Sequence, residues 1–170
     1  VGELAREARM AEIPSPDIYY AALMAGPAFF ADPRVQAASM GMKPGTAPWM
    51  QAIDERTDLA QAVALERGTS ATAIKVYADL PPSLVAAITR ESHRQGMQVW
   101  AHSAVFPTRP KDVVDAGVDV VSHACYQAYE VQQAIPQAYE DHTPVDERLL
   151  AADGDDPVLA RLYADMRERN

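Results

Sequence analysis

The sequence predicts an α/β chain built on a parallel sheet. Short apolar runs recur at residues 73–77 (AIKVY), 97–102 (MQVWAH) and 118–123 (VDVVSH), each the length of a strand. Helix signals fill the intervals between them. Lys75, His102 and His123, near or at the ends of these runs, are 27 and 21 residues apart, about one strand-plus-helix unit. Strands alternating with helices imply parallel pairing with right-handed connections. Two architectures fit: a doubly wound open sheet, or a stretch of a (β/α) barrel. Side chains at the C-terminal strand ends face one shared pocket in both, so either brings the Lys and two His to one site.

The elements follow in order. Residues 3–12 read as the end of a helix, broken by Pro14 and Pro16. Residues 17–25, with Ile18, Tyr19, Tyr20, Leu23 and Met24, read as a buried strand closed by Gly26 and Pro27. Residues 30–50 are expected to be irregular, with Pro33, Pro44, Gly45 and Pro48. So long a connection is often a functional lid or binding loop. Residues 57–67 read as a helix with Thr57 as N-cap and Gly68 as its stop. After the strand at 73–77, Pro81 and Pro82 open a helix running to Gln95, with Leu84, Val85 and Ile88 on one face and Gly96 as terminator. A strand to His102, a Pro-bounded loop, a short helix over 111–116 stopped by Gly117, and a strand to His123 complete a count of four strands. The tail, residues 126–170, reads as helical pieces cut by Pro136, Pro144 and Pro157, with an acidic turn at Asp153, Gly154, Asp155 and Asp156.

Composition narrows the function. A chain of 170 residues with 48% hydrophobic content can bury a core as one domain, 1–170. Its formal net charge of −9 offers no basic stripe for phosphates, which argues against nucleic acid as a partner. No apolar run approaches the ~20 residues of a membrane span. Glu3, Arg6, Glu7 and Arg9 interrupt any signal-peptide pattern, so a cytoplasmic setting is the default, although the chain opens on Val1 and a leader removed upstream is compatible with it. The single cysteine, Cys125, excludes an internal disulfide; it is expected to be a buried structural thiol rather than a pocket group.

Each candidate also has a plainer reading. A histidine at a strand end is more often a hydrogen-bonded core or surface group than a ligand; two at equivalent positions in consecutive units strengthen the ligand reading. Lys75 inside an apolar run is the odder feature. A buried ammonium needs a partner, a modified form or a lowered pKa, and its plain reading is a structural salt bridge. Tyr77, on the same strand parity as Lys75, is a candidate substrate contact or a packing aromatic. Arg109, in the loop after His102, is a candidate binder of a substrate carboxylate or a surface arginine. His93 and His142 read as solvated side chains.

Three motifs in register, AIKVY (73–77), GMQVWAH (96–102) and AGVDVVSHA (116–124), resemble the amidohydrolase superfamily. The branch they are most similar to is that of imidazolonepropionase-like and Xaa-Pro dipeptidase (prolidase)-like enzymes, over residues 3–124. The resemblance implies a (β/α)8 TIM barrel, of which this chain carries about strands three to six with their helices. It implies one or two divalent metal ions, usually zinc, with Lys75 as the carboxylated lysine and His102 and His123 as further ligands. In such a site the metal acidifies a water and polarises a carbonyl.

The family's His-x-His pair after the first strand has no counterpart in this sequence. Nor does its general-base aspartate, so no catalytic residue is assigned. Asp153, Asp155 and Asp156 form an acidic turn and are not candidates for it. On this alignment the chain is expected to be an internal segment of a longer enzyme, inactive alone and self-associating through open sheet edges. The function expected of the complete protein is metal-dependent hydrolysis of an amide or other C–N bond in a small molecule, such as a dipeptide or cyclic amide. The alternative is a non-catalytic α/β module with at most weak metal binding.

Overall fold

A computed structural model describes residues 1–169 as a six-stranded sheet with helices packed on it. Helix α1 spans Gly2–Arg9, strand β1 Ala21–Ala25, a 3-10 turn Pro27–Ala31 and helix α2 Pro33–Ala38. Strands β2 (Thr46–Ala47) and β3 (Met50–Ala52) precede α3 (Leu59–Gly68), β4 (Ala73–Val76) and α4 (Pro82–Arg94). Then come β5 (Gln98–His102), α5 (Pro110–Asp115), β6 (Val120–Ser122), a second 3-10 segment (Ala124–Glu130), α6 (Glu147–Ala151) and α7 (Pro157–Glu168).

The sheet order is β2-β3-β1-β4-β5-β6, and only the β2–β3 pair is antiparallel. Four strands were expected and six are present. The added pair, β2 and β3, lies within or at the edge of 30–50, the stretch expected to be irregular. Its strands are two and three residues long, too short to show alternation. They cover the outer edge of β1 and leave only a two-residue strand at that side, a common way of blunting an edge.

Alternation along the strands sorts two faces. Met24, Ile74, Val76, Val99 and Ala101 point into one core with Val63 of α3, Val85 and Ile88 of α4 and Val113 of α5. All three helices therefore pack on one side of the sheet. Full burial of a side chain such as Ile88 stabilises the fold by about 1.5–3 kcal/mol. Leu23, Lys75, Tyr77, Trp100 and His102 occupy the opposite parity, and the strand register aligns Leu23, Lys75, Trp100 and Val120 in one row across the sheet.

Local chemistry sets the helix ends. Gly96, at φ 77°, occupies the left-handed position after α4, where Met97 N–H donates to Ser92 O and Gly96 N–H to His93 O. At α3 the cap is Asp58, whose carboxylate accepts from Gln61 N–H, and Thr57 instead closes the preceding turn on Asp54. Gly68 is the last residue of α3 rather than its terminator; Thr69 and Ser70 end it. The tail departs from the expected helical pieces over residues 131–146, which fold back over the C-terminal strand ends. Their backbone is tied down by side chains from the loops that follow β4 and β5. Arg109 donates to the carbonyls of Tyr129, Gln132 and Gln133, and Asp79 accepts from Tyr139 N–H at 2.6 Å. No helix of the described residues is long and apolar enough to cross a membrane.

Candidate functional site

The site is built where β4, β5 and β6 end. Register places Lys75 beside Trp100 and His102 beside Ser122, so the lysine sits one layer below the histidine. Lys75 belongs to β4, yet its ammonium donates to the Ser122 hydroxyl on β6, passing over β5. Ser122 Oγ in turn donates to Ala101 O at 3.0 Å. The lysine is half-buried and, among the described residues, no ion pair holds it; burial draws its pKa below the usual range. The plain expectation of a structural salt bridge at Lys75 is not met.

His102 is 4% exposed, and its Nε2 is buried with no hydrogen-bond partner. Its pKa falls to about 3, first because the ring is desolvated and then because Lys75 and His123 place positive charge beside it. At neutral pH it is an uncharged imidazole with a free lone pair. His123 comes from the turn after β6, where its backbone is left-handed at φ 61° and ψ 67°. A side chain with a Cβ adopts that region at a cost, and such positions cluster at functional sites. This turn brings the His123 ring edge-on to His102, with centroids 4.4 Å apart. Asp79 and Phe106, also at positive φ, lie in the loops after β4 and β5, so all three site loops contain a left-handed residue.

Aromatic rings flank the pair, of which His102 is buried and His123 exposed. Tyr77 lies 4.1 Å from the His102 ring, and Tyr126 lies 5.9 Å from His123. Phe29 and Tyr139 pack behind Tyr77, and Phe106 and Tyr129 behind Tyr126.

Of the residues singled out in the sequence, Lys75, Tyr77, His102 and His123 are brought together. Arg109 is not part of this group, since its guanidinium is engaged by backbone carbonyls of the tail. Cys125 is exposed, against the expectation of a buried thiol, because the 3-10 segment that carries it turns outward after His123. His93, expected to be merely solvated, contacts Asp119 at 2.9 Å, and the same carboxylate accepts from Val99 N–H. His142 is exposed, as expected.

Three contributors escaped the sequence reading. Ser122 carried no signal beyond its place before His123. Buried Ser103 bonds the carbonyls of Ser122 and His123 and pins the β6 terminus to β5. Tyr139 lies 62 residues beyond Tyr77 in a loop with no pattern, and only the fold brings them together.

A metal at this point would find two imidazoles and a lysine. The orphaned Nε2 of His102 suits a ligand, yet among the described residues no three His, Cys, Asp or Glu side chains come together as a metal site. The donor set fits a cation only if Lys75 contributes to it.

Neither a family model nor a curated protein matches this sequence. Among solved structures, the fold matches the crystal structure of A. niger ochratoxinase with a TM-score of 0.60 at 19% identity, over 99% of this chain and 37% of that one. The likeness is one of fold, and this chain spans just over a third of the ochratoxinase chain.

Proposed function

We propose that these residues form the strand-end site of a metal-dependent hydrolase of amide or related C–N bonds, on a sheet that is a stretch of a (β/α)8 barrel. The winding supports the barrel. Strands β1, β4, β5 and β6 lie side by side in chain order and their helices share one face, whereas a doubly wound sheet is covered on both faces; β3, which follows β1 in the chain, pairs on the other side of β1 and departs from simple barrel order. Likeness in fold to an enzyme named for ochratoxin as its substrate is in keeping with this class.

One observation carries the functional reading. Lys75, His102 and His123, from three successive parallel strands, converge at the strand ends around a buried imidazole nitrogen that has no partner. In this reading His102 and His123 would hold a divalent ion, zinc by the chemistry of imidazole donors. The low basicity of His102 keeps its lone pair free at neutral pH. Burial of Lys75 raises the fraction of neutral amine, the form that adds to carbon dioxide. The amine nitrogen bonds to the carbon, a proton leaves to solvent, and the resulting carbamate supplies two anionic oxygens in place of a cation. When bound, the metal would polarise the scissile carbonyl and acidify the attacking water. The Ser122 hydroxyl and the Tyr77 ring hold Lys75 and His102 in place.

A second reading, a non-catalytic α/β module with weak metal binding, draws on the missing cluster of three conventional ligands among the described residues. Metal content of the chain purified with zinc and bicarbonate separates the two. The hydrolase reading expects close to one zinc per chain, lost in both His102→Ala and Lys75→Ala. Zinc retained by Lys75→Ala would overturn the carbamate assignment, and a zinc-free wild type would favour the module.

A further inference from the structure

Resting on the reading of His102 as a ligand-binding group, we infer that residues 134–144 are a lid over the site, pinned at its base by Gln132, latched at its tip by Asp79 and opened by release of that latch. The structure is the closed state. The Nε2 of His102 is buried without a partner, so nothing from solvent reaches it until a covering group moves. The Tyr77 ring, 4.1 Å from the His102 ring, is such a cover. Its backbone is fixed in the sheet, where Tyr77 N–H donates to Met24 O at 3.0 Å, so only the ring can swing. Phe29 and Tyr139 back that ring at 4.7 and 5.9 Å. Phe29 is buried core, whereas Tyr139 belongs to the loop.

The base of the loop is built to stay. Gln132 is 2% exposed, and its side-chain amide donates to both Ala134 O and Pro144 O, so one nitrogen holds the two ends together. Ends this close make the segment an Ω-loop. The tip is a separate piece. Asp141 accepts from Gln137 N–H at 2.8 Å and from Thr143 N–H at 3.1 Å, which closes 137–143 on itself. Among the described residues, the backbone of this tip reaches the rest of the chain through one hydrogen bond, from Tyr139 N–H to Asp79 at 2.6 Å.

That latch is weak. Burial first, and then the like charge of Glu140, disfavour the ionised form of Asp79 that makes the bond strong. A segment with so few ties opens locally at low cost. The opposite flank of His102 cannot serve as the gate. Tyr126 is carried by the 3-10 segment, which Ser103 holds at His123 O, Lys111 N–H at Glu130 and Arg109 at Tyr129 O.

The test reads access to His102 as its rate of acylation by diethyl pyrocarbonate at neutral pH. It uses the whole metal-free chain, with each histidine followed by peptide mass spectrometry. Asp79→Ala is expected to raise the His102 rate about tenfold, the effect of losing one hydrogen bond to a charged group, and to leave His93 at the far end of the sheet unchanged. Asp79→Asn, whose side-chain oxygen still accepts, should stay close to the wild type. Amide exchange reads the same opening without a variant: in the wild type Tyr139 N–H should be about tenfold or more less protected than Tyr77 N–H. An unchanged His102 rate in Asp79→Ala, or equal protection of the two amides, would overturn the inference. If His93 in Asp79→Ala speeds up as much as His102, the variant has unfolded and the wild-type amides decide. Zinc added to Asp79→Ala separates the two readings. Slower His102 acylation with zinc upholds both; acylation that stays fast with zinc defeats the hydrolase reading and leaves the lid standing.

Discussion

Lys75 and Ser122 stand on strands that are not neighbours, and the lysine ammonium donates to the serine hydroxyl across β5. Two strand spacings, about 9–10 Å, separate β4 from β6, so the lysine arm must lie extended over the sheet next to His102. That path places its charge where it depresses the basicity of His102.

Ser122→Ala removes the hydroxyl to which the Lys75 ammonium donates. With burial unchanged and the acceptor gone, the lysine pKa should fall further below its ordinary value, and the amine should carboxylate more readily. NMR titration of the Lys75 side chain, with 13C-labelled bicarbonate to report a carbamate signal, checks this. An unchanged titration would mean that the bond to Ser122 does not govern the amine.

Glu66 gives a pH signature away from the site. Its side chain is fully buried beneath α3, with Oε1 accepting from Gln51 at 3.3 Å and Oε2 without a partner. Burial pushes its pKa up to about 8. Between the unfolded value, about 4.3, and 8 the folded chain keeps a proton that the unfolded chain has lost, so stability falls as pH rises through that window. His102 acts with the opposite sign and lower down. Its folded pKa lies below the unfolded value of about 6.5, so it costs stability as pH falls from there toward 3. Above pH 7 Lys75, whose pKa burial lowers, adds a slope of the opposite sign, so the Glu66 contribution is read as the difference between wild type and variant. From pH 7 to 8.5 the urea midpoint of Glu66→Gln should rise relative to that of the wild type, by the equivalent of about 1 kcal/mol or more. Parallel slopes would show that the carboxyl ionises freely in the folded chain.

Gly26 ends β1 where the backbone of Asp79 crosses it, and a Cβ there would meet Asp79 O at 1.9 Å. The clash is with main chain, which cannot swing aside as a side-chain tip can. Gly26→Ala should destabilise the chain by about 1–3 kcal/mol in urea unfolding. It should also loosen the loop that Asp79 anchors, seen as faster amide exchange at Tyr139, which donates to that carboxylate. Wild-type stability in this variant would mean that the two turns separate without cost.

The sequence by itself determined the parallel α/β character, the strands at 73–77 and 97–102, the helix stop at Gly96 and the grouping of Lys75, His102 and His123. All of these rest on local causes. Strand alternation fixes which side chains share a face, a left-handed glycine ends a helix, and unit length spaces the strand ends. Tertiary structure decided the rest. The hairpin of β2 and β3 is too short to show a pattern and exists because β1 offers an edge to pair with. The bond from Lys75 to Ser122 and the meeting of Tyr77 with Tyr139 join residues 47 and 62 positions apart, and the orphaned His102 nitrogen depends on what surrounds it. Burial and charge proximity are properties of neighbours in space, and local pattern carries no record of them.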